Sequence, residues 1–139
     1  MKLRVPTLTM IGALCALATL SASQAEVAPT PAASQKLAKA LEGRTAGQPV
    51  NCIQNIRGQA KMRVIDDWTI LFRDQSTIYV QKPRSECVGI EDGKYALVTR
   101  KFGSGEICSG DINQLVDVGT GFQAGHCTFG EFVPYRRIK

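Results

Sequence analysis

The sequence predicts an all-β fold: a small antiparallel barrel or strongly curved sheet of five to six strands, SH3-like or OB-like, preceded by a short N-terminal helix. Three observations carry this. From Gly58 onward apolar and polar side chains alternate with a period of two. Polar or glycine-rich turns separate the alternating runs, with no long helical pattern between them. Glycines inside the last run, Gly125 and Gly130, suit bulges or bends in a curved sheet.

The chain begins with a segment that reads as an export signal rather than as part of the fold. Lys2 and Arg4 supply a basic start, and residues 8–20 (LTMIGALCALATL) an apolar run. Ser23 and Ala25 put small residues at the −3 and −1 positions of a cleavage site, so residues 1–25 are expected to be removed before Glu26. The run falls short of the roughly 20 apolar residues of a membrane span. Leu14 before Cys15 does not suit a lipoprotein signal.

Residues 26–50 are expected to hold a Pro/Ala linker (26–33, EVAPTPAA) and then a helix over 34–42. Ser34 would cap it, Leu37 and Leu41 lie at i and i+4, and Gly43 follows as a terminating glycine. A helix this short needs a surface to dock on.

Residues 51–139 form the expected β domain. Ala60, Met62 and Val64 alternate with Lys61 and Arg63, and Asp66-Asp67 turns the chain. Trp68, Ile70 and Phe72 then share one side of a strand, RDQS (73–76) makes a second turn, and Ile78 and Val80 follow, giving an antiparallel meander. Pro83, Gly89 and Asp92-Gly93 mark a loop. Residues 95–102 read as a fourth strand and 111–118 as a fifth. Residues 119–121 form a glycine-rich hairpin turn, and 122–135 return as a sixth strand.

The whole chain carries 17 Lys and Arg against 12 Asp and Glu, a formal charge of +5. Without Lys2 and Arg4 the balance is 15 against 12, or +3. Its charges are scattered, apart from a basic tail at Arg136, Arg137 and Lys139, so no clustered stripe of the kind that binds nucleic acid is present. Of five cysteines, Cys15 leaves with the signal. Cys52, Cys87, Cys108 and Cys127 remain, and in an exported chain four cysteines predict two disulfides. Each would close a loop worth about 3–4 kcal/mol in unfolded-chain entropy. Four cysteines allow three pairings, of which Cys52–Cys87 with Cys108–Cys127 is the expectation.

The cysteines sit in a longer pattern: Cys52, then Val64-Ile65-Asp66-Asp67-x-Thr69-Ile70-Leu71-Phe72, then Tyr79 and Cys87-x-Gly89. Cys108-x-x-Asp111-Ile112 and Cys127-x-x-Gly130-x-Phe132-x-Pro134 complete it. Over residues 51–135 this resembles a family of small exported proteobacterial proteins, a domain of unknown function. Phe129 stands where members more often have Leu. The resemblance implies a single compact domain, periplasmic or secreted, and no particular reaction.

The candidate chemistry is thin. Neighbouring cysteines of the mature chain are at least 19 positions apart, unlike the short pairs of zinc sites. His126 and Cys127 are adjacent, so in a strand they point to opposite faces, which suits neither a metal site nor a Cys/His nucleophile. No metal or cofactor is therefore expected. Asp66, Asp67 and Asp111 could serve a small hydrolase as general acid and base, with Asp67 and Glu131 as a conceivable pair. As turn formers and loop caps they need no such role. Trp68, Tyr79, Tyr95, Phe122, Phe129, Phe132 and Tyr135 are needed mostly for the core, Tyr79 being the most plausible surface aromatic. The reading favoured is a non-enzymatic periplasmic or secreted domain that binds an envelope protein or glycan. No nucleic acid and no stable membrane insertion after signal cleavage are expected. The candidate functional surface comprises Asp66, Asp67, Tyr79 and Asp111, and the hydrolase is the alternative.

Overall fold

The computed structural model describes residues 29–54, 61–100 and 105–138. The expected signal peptide and its cleavage site lie outside them, as do the start of the first predicted strand and the end of the fourth. The described elements are α1 (Pro31–Leu41), β1 (Arg44–Ala46), β2 (Cys52–Gln54), β3 (Lys61–Asp66), β4 (Thr69–Asp74) and β5 (Thr77–Gln81). They continue with β6 (Tyr95–Thr99), β7 (Glu106–Cys108), β8 (Ile112–Asp117), β9 (Gln123–Thr128) and β10 (Phe132–Arg137). Mostly antiparallel strand is what the alternation called for.

Their arrangement differs from a barrel. The strands divide among a five-stranded sheet ordered β1-β10-β5-β4-β3, a two-stranded ribbon β2-β7 and a three-stranded sheet β6-β8-β9, and none closes on itself among the described residues. The meander β3-β4-β5 is local, with Asp66 opposite Thr69 and Asp74 opposite Thr77 across short turns. The predicted sixth strand is in fact two. β9 belongs to the small sheet and β10 pairs with β5 in the large one. The chain crosses between sheets at residues 129–131, where a Cβ on Gly130 would collide with the Lys82 carbonyl oxygen. Glycine is needed there for the close approach of two backbones. Gly125 marks a bulge, for Leu115 opposes Gly125 while Val116 opposes Gln123, leaving Ala124 as the extra residue.

Both faces of the five-stranded sheet are covered. On one, Ile65, Leu71, Ile78 and Val80 pack with Ala33, against Leu37, Ala40 and Leu41 of α1. The helix starts earlier than Ser34: Pro31 opens its first turn and Thr30 is the cap, its Oγ1 accepting from the Ala33 N–H at 3.2 Å. The PAA of the supposed linker is therefore helical, which brings Ala33 onto the face that Leu37 and Leu41 share. Arg44–Ala46, to which the sequence assigned no element, pairs with β10.

The other face holds the larger core, in which Ile70, Phe72 and Phe132 meet Ile53, Ile90, Ile107, Leu115 and Phe129. Phe72, Phe129 and Phe132 form an edge-to-face triad with ring centroids 5.6, 5.7 and 6.0 Å apart. Each such contact adds about 0.5–1.5 kcal/mol beyond burial. The triad ties the sheet crossing to β4.

Two disulfides close the structure, with pairing other than expected. Cys52 bonds Cys108, and Cys87 bonds Cys127. The reason lies in strand pairing at long range: Cys52 and Cys108 are direct partners across the β2-β7 ribbon. Cys87, in the loop after β5, meets the inward face of β9.

Candidate functional site

Three of the carboxylates that the sequence offered as acid and base, Asp66, Asp67 and Asp111, accept backbone N–H groups. Asp66 Oδ1 accepts the Trp68 N–H at 2.9 Å, closing the β3-β4 hairpin. Asp67 reaches across to the next loop, accepting the Gly89 N–H on Oδ2 at 2.8 Å and the Glu91 N–H on Oδ1 at 2.9 Å. Its backbone carbonyl also accepts from the Cys87 N–H at 3.0 Å. Asp111 Oδ2 accepts the Cys108 N–H at 2.6 Å, in a different turn. Glu131 is exposed in the crossing from β9 to β10. Asp66 and Asp67 thus share a hairpin while Asp111 and Glu131 serve other segments. Tyr79 is half-buried and packs against the larger core.

The cysteines divide by environment. Cys87 and Cys127 are both 0% exposed, inside the core. Cys52 is exposed and Cys108 half-buried, on the outward face of the β2-β7 ribbon, whose other face buries Ile53 and Ile107. Gln54 and Glu106 share that outward face, and Gln54 Nε2 donates to Glu106 Oε1 at 2.5 Å. The two sulfurs and the Glu106 carboxylate lie within 4.8 Å of one another. Because the sulfurs are bonded to each other, a metal would meet thiolates there only after reduction.

The outer face of β6-β8-β9 is an uncharged surface built by paired strands. Tyr95, Leu97, Leu115 and Cys127 turn inward to the core, and the alternate positions turn outward. Across the sheet, Ala96 stands beside Val116, Val98 beside Gln114 and His126, and Ile112 beside Thr128. None of these outward residues is Asp, Glu, Lys or Arg. Ile112 is 63% exposed, and beyond the strands Val118 and Phe122 are 64% and 77% exposed.

The tip that carries Val118 and Phe122 is rigidly built. Asp117 Oδ1 accepts from the Gly119 N–H at 3.0 Å and from the Thr120 N–H and hydroxyl at 2.9 and 3.0 Å. The Thr120 backbone N–H, then its hydroxyl, hold the Asp117 carboxyl below its ordinary range. Gly121 takes φ +73°, a conformation that favours glycine, and so lets the tip close. The Asp117 N–H donates to the Phe122 carbonyl at 2.9 Å, fixing the backbone under the aromatic ring.

Sequence reasoning passed over this surface, although a signal was present. Residues 95–99 and 112–117 are apolar at both parities, with Tyr95 and Leu97 against Ala96 and Val98, and Leu115 against Ile112 and Val116. A strand of that kind is either buried on both sides or presents an apolar outer face. Elsewhere, Lys39, Arg44 and Arg137 with Glu42 and Ile138 line an open groove of about 530 Å³ beside the end of α1. Among the described residues no helix is long and apolar enough to cross a membrane. No family model, curated protein or solved structure matches the chain.

Proposed function

We propose that the protein is a non-enzymatic binding domain of the bacterial envelope, periplasmic or secreted, that recognises a protein partner through the outer face of β6-β8-β9 and the tip at 118–122. The observation that carries this reading is the uncharged face itself, with Ile112, Val118 and Phe122 each more than 60% exposed. Apolar side chains that gather on one face mark interaction surfaces more often than scattered ones do. Phe122 is an exposed aromatic on a hydrogen-bonded turn, and aromatic side chains are enriched in protein interfaces. The two disulfides are compatible with an oxidising compartment, which supports export. The resemblance to small exported proteins with no assigned reaction points the same way. The hydrolase alternative is less well supported, because it needs carboxylate oxygens free of the backbone donors that Asp66, Asp67 and Asp111 accept.

The test is retention of an envelope protein by the immobilised domain, compared with Ile112→Asp and Phe122→Ser variants. Both changes lie on exposed side chains, so the fold should be unchanged by near-ultraviolet circular dichroism. Loss of retention of at least tenfold in either variant is expected. Equal retention by the variants would exclude this face as the site.

A further inference from the structure

We propose that Cys52–Cys108 is a thiol–disulfide exchange site, opened by an exported low-pKa dithiol, while Cys87–Cys127 remains closed as the structural staple. The two bonds differ in the property that governs exchange, which is access of a thiolate to sulfur. Cys87 and Cys127 are fully buried, so an attacking thiolate reaches them only if the core opens. Cys52 is exposed and joined to Cys108 on the solvent face of a ribbon that forms its own sheet, separate from the other two.

The ribbon is built to survive the opening. Cys52, Ile53 and Gln54 pair with Cys108, Ile107 and Glu106, and the Ser109 N–H donates to the Asn51 carbonyl at 2.6 Å. Ile53 and Ile107 anchor the inward side in the larger core. Breaking the bond leaves these contacts in place, so both thiols stay at the same surface, ready to be reoxidised.

Exposure also decides which sulfur is attacked. The entering thiolate approaches Cys52 Sγ in line with the S–S bond and forms a mixed disulfide there. The electron pair of the broken bond passes to the half-buried Cys108 Sγ, which takes up a proton. The second thiol of the dithiol then attacks the mixed disulfide, releasing Cys52 as a thiol and leaving the dithiol oxidised. In sum two electrons and two protons pass from the dithiol to the protein pair.

Glu106 sets the rate of the first step. Its carboxylate lies within 4.8 Å of both sulfurs, where it repels an incoming thiolate and disfavours the departing one. Glu106→Gln should therefore speed exchange roughly three- to fivefold at low ionic strength, with the difference shrinking in 1 M salt.

The experiment exposes the native, oxidised protein to dithiothreitol buffers of decreasing potential, then alkylates the thiols and maps them by mass. Labelling of Cys52 and Cys108 first, with Cys87 and Cys127 unlabelled until denaturant is added, is the expected result. Labelling of all four together, or of Cys87 and Cys127 first, overturns the proposal. Trapping with a monothiol peptide gives a second readout that does not require the opened protein to persist. A mixed disulfide on Cys52, formed faster in Glu106→Gln, supports the assignment. A mixed disulfide on Cys127 or Cys87, or a rate indifferent to Glu106, refutes it.

Discussion

Gln81 is the residue whose chemistry fits its surroundings least. It sits on β5 between Ile70 of β4 and Phe132 of β10, fully buried on the side of the larger core. Neither its Oε1 nor its Nε2 finds a hydrogen-bond partner among the described residues. A buried polar group left unpaired costs about 1–3 kcal/mol. Gln81→Leu, close in volume, should raise stability by about 1–2 kcal/mol, read as a higher denaturant midpoint with an unchanged slope. A lower midpoint would mean that the amide is engaged in solution. The sequence did not expose this feature, because Gln81 ends an alternating run and reads as the polar side of a strand. Asp67 was legible only in part. Its place in a turn follows from residue type, whereas its grip on Gly89 and Glu91 depends on a loop folding back over 22 residues or more.

Among the elements, the β8-β9 hairpin lends itself to a direct test. The Asp117 carboxyl is held below its ordinary value by donors it meets only in the folded turn. Its contribution to the turn is present above the unfolded carboxylate value, about 3.9, and is lost as pH falls through the lower folded value. The Thr120 amide proton should therefore show a titration step with its midpoint below pH 4 in a nuclear magnetic resonance series, and Asp117→Asn should abolish it. A step of unchanged midpoint in that variant would assign the titration elsewhere. Elements of this local kind were the ones the sequence revealed: the meander β3-β4-β5, the 119–121 turn and most of α1 follow from periodicity and turn residues near in the chain. Three short strands, β1, β2 and β7, escaped because three residues carry no periodicity, and their partners lie 52 or more positions away. The division of residues 122–135 into β9 and β10 was equally hidden. Gly130 reads as a bend, and only the approach of Lys82 shows that the chain changes sheets there.

For the molecule as a whole, the disulfides bind different parts with different effect. Cys87–Cys127 lies in the larger core among Phe129, Phe132 and Ile90, so replacing both residues by Ala removes a constraint and also loosens packing. A loss of about 3–5 kcal/mol is expected, enough to unfold most of a small domain at 37 °C. Replacing Cys52 and Cys108 by Ala should cost less, about 2–3 kcal/mol, because the ribbon keeps its ladder and its buried isoleucines. Thermal unfolding of the two double variants would rank them, and a reversed order would mean that the exposed bond bears more of the stability. The pairing itself could not be read from the sequence. It follows from the register of β2 on β7 and from the meeting of the 87–91 loop with β9, both set by the assembled core.

The interleaving of the two bonds also governs how far the chain can be drawn out. With both closed, the shortest covalent route from residue 52 to residue 127 crosses to 108 and then follows 19 residues. If only the buried bond opens, that route is unchanged. If only the exposed bond opens, the route runs 35 residues to Cys87 before crossing to Cys127. The difference of 16 residues, at up to about 3.5 Å each, lengthens the tether by roughly 55 Å. A protein pulled between its ends would thus register chemistry at the ribbon as extra slack, and be blind to the same chemistry in its core.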